Sequence, residues 1–140
     1  MTTESQNLAR VRAAYRAWHE TKGQSVSQWM ELMSSGVRFR SLAGGAPGME
    51  FSRDCASCSE VERYFAELGK DWDMIHYTVD ELIERDDRII MLGSCSYRSK
   101  RTGRVVETPK ADFLRLREGK VVEFFEFYDT AKAIAASLGT

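Results

Sequence analysis

Arg104-Val-Val-Glu-Thr-Pro-Lys-Ala-Asp-Phe-Leu-Arg-Leu-Arg117, then Glu118-Gly119, then Lys120-Val-Val-Glu-Phe-Phe-Glu-Phe-Tyr-Asp129, then Thr130-Ala-Lys-Ala-Ile-Ala-Ala-Ser137 form one unbroken run. The two apolar stretches have strand composition, and Glu118-Gly119 between them is a hairpin turn. The alanine-rich tail reads as a short amphipathic helix over 130–138. Side chains alternate along a strand, so Thr108, Lys110, Asp112 and Leu114 share one face. Asp112 thus lies inside an apolar strand, and Asp129 stands where the last strand becomes a helix.

Working upstream, Trp72–Glu84 and Arg88–Ser99 have the same strand character. Asp86-Asp87 and Arg101-Thr102-Gly103 supply their turns. Four strands therefore follow one another by hairpin logic. Period two places Ile75, Tyr77, Val79 and Ile83 on one side of the first strand, with Trp72, Met74 and Leu82 on the other.

The first half of the chain is helical. Leu8, Val11, Ala14, Tyr15 and Trp18 repeat at helical spacing over Glu4–Glu20, and Lys22-Gly23 ends the run. Ser27 is a candidate cap for a second helix carrying Trp29, Met30, Leu32 and Met33, which Gly36 stops. Val37–Leu42 alternates as a short strand. Ala43–Ser59 is a long Gly, Ser and Pro-containing loop, a candidate lid or rim. Ser59–Leu68 reads as a third helix stopped by Gly69. Helices first and an antiparallel meander after imply an α+β domain, with helices covering one face of a curved sheet.

The 140 residues suit one domain, residues 1–140, with room for a core and a pocket. A net charge of −1 gives no basic field for nucleic acid or a membrane surface. The polar Met1–Asn7 lacks the apolar core of a signal peptide, and no apolar run reaches the length of a membrane span. Three cysteines, an odd number, suit a reducing compartment. A cytoplasmic location is the expectation. Apolar residues on both strand faces exceed what the helices of one domain can cover, so a homodimer is expected.

Asp112 has two physical readings. In a closed cavity, desolvation favours its neutral, proton-donating form. Lys110 lies about 7 Å along the same face and favours the ionised form in a salt bridge. Asp129 also has two readings, as an acid/base group and as an N-cap accepting from free backbone N–H groups. Tyr15 and Trp18 lie on the apolar stripe of the first helix, and a buried Tyr15 needs a hydroxyl partner. His76, flanked by Ile75 and Tyr77, is a reserve base. Cys55-Ala-Ser-Cys58 has redox or half-zinc spacing. However, no second cysteine pair exists and the only histidines are His19 and His76, which argues against zinc. No phosphate-binding Gly-rich loop or nucleophile elbow occurs, so no cofactor or metal is expected.

The order of elements, ending in Gly119-Lys-Val-Val-Glu-Phe-Phe-Glu-Phe-Tyr-Asp-Thr-Ala131, resembles the nuclear transport factor 2-like superfamily, in its SnoaL-like and ketosteroid-isomerase-like branch. The resemblance implies a cystatin-like α+β barrel: a cone-shaped, curved, mixed or antiparallel sheet wrapped around N-terminal helices, with a pocket and usually a homodimer. Ketosteroid isomerases pair a helix-one tyrosine with a neutral strand aspartate as an oxyanion hole. The matching positions here are Tyr15 and Asp112, while the position of the base is Ser41. Phe127-Tyr128-Asp129 resembles the strand ending of limonene epoxide hydrolases, but Gly93–Tyr97 lacks their Arg-x-Asp pair.

The implied function is binding of a small apolar or carbonyl-bearing ligand, with cofactor-independent proton transfer next to a carbonyl, as in a ketosteroid-isomerase-like isomerase or polyketide-cyclase-like lyase or isomerase. A non-catalytic ligand-binding or scaffold domain of the same fold is the alternative. Asp112, Tyr15 and Asp129 are the candidate catalytic residues. Trp18, His76, Lys110 and Phe127 are the candidate ligand contacts.

Overall fold

The computed structural model describes residues 4–140. The polar start Met1–Thr3 lies outside the described residues. Ten elements follow in order: α1 (Gln6–Glu20), α2 (Val26–Leu32), β1 (Met33–Ser41), a short 3-10 turn (Glu50–Ser52), α3 (Cys58–Asp71), β2 (Trp72–Arg85), β3 (Arg88–Ser99), β4 (Val105–Arg117), β5 (Lys120–Tyr128) and α4 (Thr130–Leu138). The strands form one curved, open sheet in the order β1-β5-β4-β3-β2. β1 runs parallel to β5 and every other pair is antiparallel, so the α+β class holds with a mixed sheet.

Local chemistry explains most boundaries. Ser5 caps α1 by accepting from the Leu8 amide, and Ser57 caps α3 by accepting from the Glu60 amide. Glu118 and Gly119 both take positive φ, 51° and 77°, as a two-residue hairpin of the twist-matched kind requires. Several boundaries differ from the sequence expectation. α2 begins at Val26 with Ser25 at the cap position and no side-chain cap bond, so Ser27 lies inside the helix and is not its cap. α2 ends at Leu32, not at Gly36, because Met33–Gly36 is already extended in β1. α3 runs through Gly69 to Asp71; that glycine faces open space and has no need to break the helix.

The largest departure concerns β2. Bulges between Met74 and His76 and between Val79 and Glu81 reset its alternation. Tyr77 and Val79 therefore pack inward with Trp72, Met74 and Leu82, while Ile75 and Ile83 stay outside. Gly93 on β3 makes this possible: a Cβ there would lie 2.0 Å from the Thr78 carbonyl oxygen.

The core fills the concave side of the sheet. Val11, Ala14, Tyr15 and Trp18 of α1 and Val61, Tyr64 and Phe65 of α3 meet Phe39, Leu114, Val121 and Phe124 from the strands. Phe39 stacks on Phe124 at 4.6 Å, and Trp18 meets Phe65 edge-on at 5.3 Å. The 43–57 loop forms the rim. Ser137 of α4 donates to the Gly48 carbonyl at 2.5 Å, and Phe39 and Cys55 exchange backbone hydrogen bonds. No described helix is long and apolar enough to cross a membrane.

Candidate active site

Alternation along β4 sends Val106, Thr108, Lys110, Asp112, Leu114 and Leu116 inward. On β5 the same rule sends Phe124 and Glu126 inward, with Tyr128 at the rim. Register then sets Asp112 directly opposite Glu126. Three ionisable side chains meet in the apolar interior, with Lys110 9 %, Asp112 1 % and Glu126 6 % exposed.

They form one network of hydrogen bonds and an ion pair. Lys110 Nζ donates to Asp112 Oδ1 at 2.5 Å and lies 3.1 Å from Glu126 Oε2. The Tyr15 and Tyr77 hydroxyls donate to Asp112 Oδ2 at 2.6 and 3.0 Å. The Tyr64 hydroxyl donates to Glu126 Oε1 at 2.5 Å. Burying charges is expensive unless each is paired, and here every carboxyl oxygen has a hydrogen-bond donor or the Lys110 ammonium against it.

The electrostatics follow from burial and pairing. Burial pushes the Asp112 carboxyl up; Lys110 pulls it back only in part, while Glu126 adds to the rise. Burial alone would depress Lys110, but Asp112 and Glu126 outweigh it and hold the ammonium charged well above its ordinary range. Lys110 is therefore a hydrogen-bond donor and a positive charge, not an amine nucleophile. Burial, reinforced by the neighbouring carboxyl groups, keeps Tyr15, Tyr64 and Tyr77 as neutral phenols. One Lys110 N–H goes to Asp112, while Glu126 faces the ammonium as an ion-pair partner.

The empty space lies beside this network. Two lobes of about 60 and 30 Å³ share Tyr64, Leu68, Tyr97, Lys110 and Glu126 as walls. The larger is closed by Met49 and Phe51 of the rim loop, Trp72, Tyr128 and Ala133. The smaller reaches Tyr15, Trp18, Trp29 and Phe124. Both are far below the roughly 300–1,000 Å³ of a drug-sized pocket. Among the described residues, no group of three or more His, Cys, Asp or Glu is arranged to hold a metal.

A family model described as the SnoaL-like domain matches residues 11–124. The chain belongs to the SnoaL-like domain family. Solved structures agree with the family's fold. An NTF2-like protein of unknown function from Burkholderia pseudomallei is 24% identical with a TM-score of 0.84, over 95% of this chain and 98% of that one. An NTF2-like protein from Burkholderia thailandensis is 25% identical with a TM-score of 0.80, over 95% and 98%. A protein with a ketosteroid isomerase-like fold from Catenulispora acidiphila, in complex with trimethylamine, is 14% identical with a TM-score of 0.73, over 96% and 94%. No curated protein matches the chain.

Within this SnoaL-like domain, Tyr15, Lys110 and Asp112 come together, and Trp18 stands on the wall of the smaller lobe. Three other candidates do not join them. Asp129 caps α4, accepting from the Lys132 amide at 3.1 Å. His76 lies half-buried, 3.7 Å from exposed Glu107. Phe127 stacks on Phe125 at 4.3 Å and is 39% exposed. The Cys55 thiol faces the carbonyls of Arg53 and Glu60, and the Cys58 thiol that of Ser34.

Sequence reasoning passed over Glu126, Tyr64 and Tyr77. Glu126 had a readable signal, since it is the acid that alternates with Phe124 and Tyr128 in an aromatic strand. Tyr64 gave none beyond a helical stripe. Tyr77 was hidden by the β2 bulge. Ser41 is buried, its hydroxyl 2.8 Å from that of Tyr128, and its partner across the β1–β5 ladder is Glu126.

Proposed function

We propose that this SnoaL-like protein binds a small carbonyl-bearing molecule in the aromatic cavity. There it moves a proton next to the carbonyl as a cofactor-independent isomerase or cyclase. Lys110 carries the reading. A buried ammonium lines both lobes, is paired with Asp112 and Glu126, and has N–H capacity beyond the hydrogen bond it gives Asp112. Such a donor, in a site from which bulk water is largely excluded, stabilises negative charge developing on a carbonyl oxygen. Asp112, held by Tyr15 and Tyr77, aims the ammonium and is a positioning residue in this scheme.

The test is deuterium uptake at carbon next to the carbonyl across a panel of small ketones and 1,3-diketones. Exchange above the buffer rate that Lys110→Met abolishes is the expected result. A panel with no exchange above buffer overturns the enzymatic reading.

One observation favours a non-catalytic ligand-binding domain as second reading: Asp112 already accepts three hydrogen bonds and has no free oxygen for substrate. In either case we infer a homodimer through the outer sheet face. Ile83, Ile90, Phe113 and Phe125 form one row across four strands, and Leu92, Ala111 and Phe127 a second. Ile83, Leu92 and Phe127 are exposed. A monomer in sedimentation at micromolar concentration overturns it.

A further inference from the structure

We infer that the cleft between α1 and β2 is a second ligand site, separate from the buried cavity, and that it takes a small organic carboxylate. Nothing in it depends on proton transfer at Lys110.

The cleft has a volume of about 330 Å³, at the low end of the range for small-molecule sites. Arg12, Arg16 and His19 line it from α1, and Thr78, Val79 and Leu82 from β2. The three helical positions stand at i, i+4 and i+7, so they share one face. Bulges on both sides of Tyr77 turn it and Val79 toward that face. Tyr15 and Tyr77 close the inner end, and the same two rings line the smaller lobe. Stacked with centroids 6.0 Å apart, they are a wall between cleft and lobe, and their hydroxyls are engaged by Asp112.

The chemistry of the walls selects the ligand. No acidic side chain lines the cleft. Arg12 donates to Glu4 Oε1 through Nε and Nη2, at 3.0 and 2.8 Å, and adds positive charge at the mouth. Among the described residues no carboxylate pairs with Arg16 or with His19. His19 Nδ1 accepts from the Tyr77 amide at 3.3 Å, so the proton of the neutral imidazole stands on Nε2, as a donor. A guanidinium without a carboxylate partner and an imidazole N–H one helical turn away match the two oxygens of a carboxylate. Val79, Leu82 and the tyrosine rings offer apolar surface to whatever the carboxylate carries. A bare inorganic anion leaves that surface uncovered, whereas an organic acid with a short apolar tail uses both kinds of wall.

Benzoate is a suitable probe, titrated into nitrogen-15-labelled protein and followed by NMR. The Tyr77, Thr78 and Val79 amides and the His19 ring should shift saturably, with a dissociation constant in the millimolar range or below. Arg16→Gln should weaken binding about tenfold or more, the usual share of a charge-assisted hydrogen bond. Benzamide, which has the ring without the charge, should lose about as much. Arg16 is exposed, so its variant should keep the wild-type melting temperature. Arg88→Gln removes an exposed cation outside the cleft and should leave binding unchanged. Equal losses in Arg16→Gln and Arg88→Gln reduce the effect to overall charge and overturn the site. Shifts confined to residues around Lys110 and Glu126 assign benzoate to the buried cavity and overturn it too. Inorganic phosphate binding as tightly as benzoate overturns the organic acid as ligand. No saturable shift, or one that Arg16→Gln leaves intact, overturns the inference altogether.

Discussion

Lys110→Met should convert a balanced buried network into an unbalanced one. Methionine matches the stem of lysine in length but removes the ammonium from between Asp112 Oδ1 and Glu126 Oε2. Two carboxyl groups, 1 % and 6 % exposed, then face each other without a cation. Breaking a buried pair from one side costs about 3–5 kcal/mol. At roughly 3–4 °C per kcal/mol for a chain of this size, the melting temperature near neutral pH should fall by about 10–20 °C. The loss should depend on pH in a defined direction. Burial already raises Asp112, and Lys110 is what opposes the rise. A carboxyl raised in the folded state contributes stability that is present below its unfolded value of 3.8 and lost as pH rises through the folded value. The deficit of Lys110→Met should therefore be small near pH 4 and grow toward neutrality. Adding Asp112→Asn removes one of the stranded charges, so the double variant should be less destabilised than the two single effects added. Urea unfolding between pH 4 and 8 measures all three. A Lys110→Met midpoint equal to wild type at pH 7, or a loss that does not change with pH, refutes the account.

Three further outcomes are expected. All five tyrosines, at positions 15, 64, 77, 97 and 128, are raised above 10.0, chiefly by burial. Lys110 is raised above 10.5, because its carboxyl partners outweigh burial. Stability from such groups is complete below their unfolded values and is lost as pH rises beyond them. Melting temperature should thus drop steeply above about pH 10, and tyrosinate absorbance should appear only with unfolding; gradual titration of folded protein near pH 10 contradicts this. Gly93→Ala should destabilise by about 1–3 kcal/mol or more in denaturant unfolding, because the new Cβ meets the Thr78 carbonyl oxygen at 2.0 Å in backbone that cannot yield cheaply. Asp129→Ala should cost about 0.5–2 kcal/mol through loss of the α4 cap, measured the same way, and Asp129→Asn should recover most of it.

Local signals carried the fold a long way. The hairpin turn at Glu118-Gly119, the strand pattern of 104–128 and the caps and stripes of the helices are short-range, and the structure follows them to within a few residues. The candidate site divides by the same criterion. The inward face shared by Lys110 and Asp112 follows from period two on β4, and the Tyr15 hydroxyl does meet Asp112. Alternation alone puts Tyr77 with the wrong neighbours, because a bulge that no local pattern marks turns it inward. Glu126 could be read as inward-facing, but its importance comes from register: β4 sets it opposite Asp112, and β1 sets it beside Ser41.

Sequence alone thus determined the elements, their order, the α+β class and the face on which Lys110 and Asp112 point, since each depends on residues only a few positions apart. Tertiary structure decided which groups share a charge network. Tyr15 and Asp112 are 97 positions apart, and Tyr64 and Glu126 are 62 apart, yet each pair is hydrogen-bonded. Strand register, the β2 bulges and the packing of α1 and α3 into the concave sheet bring them together. Those are long-range packing outcomes, set by how whole elements bury their apolar faces rather than by any local pattern.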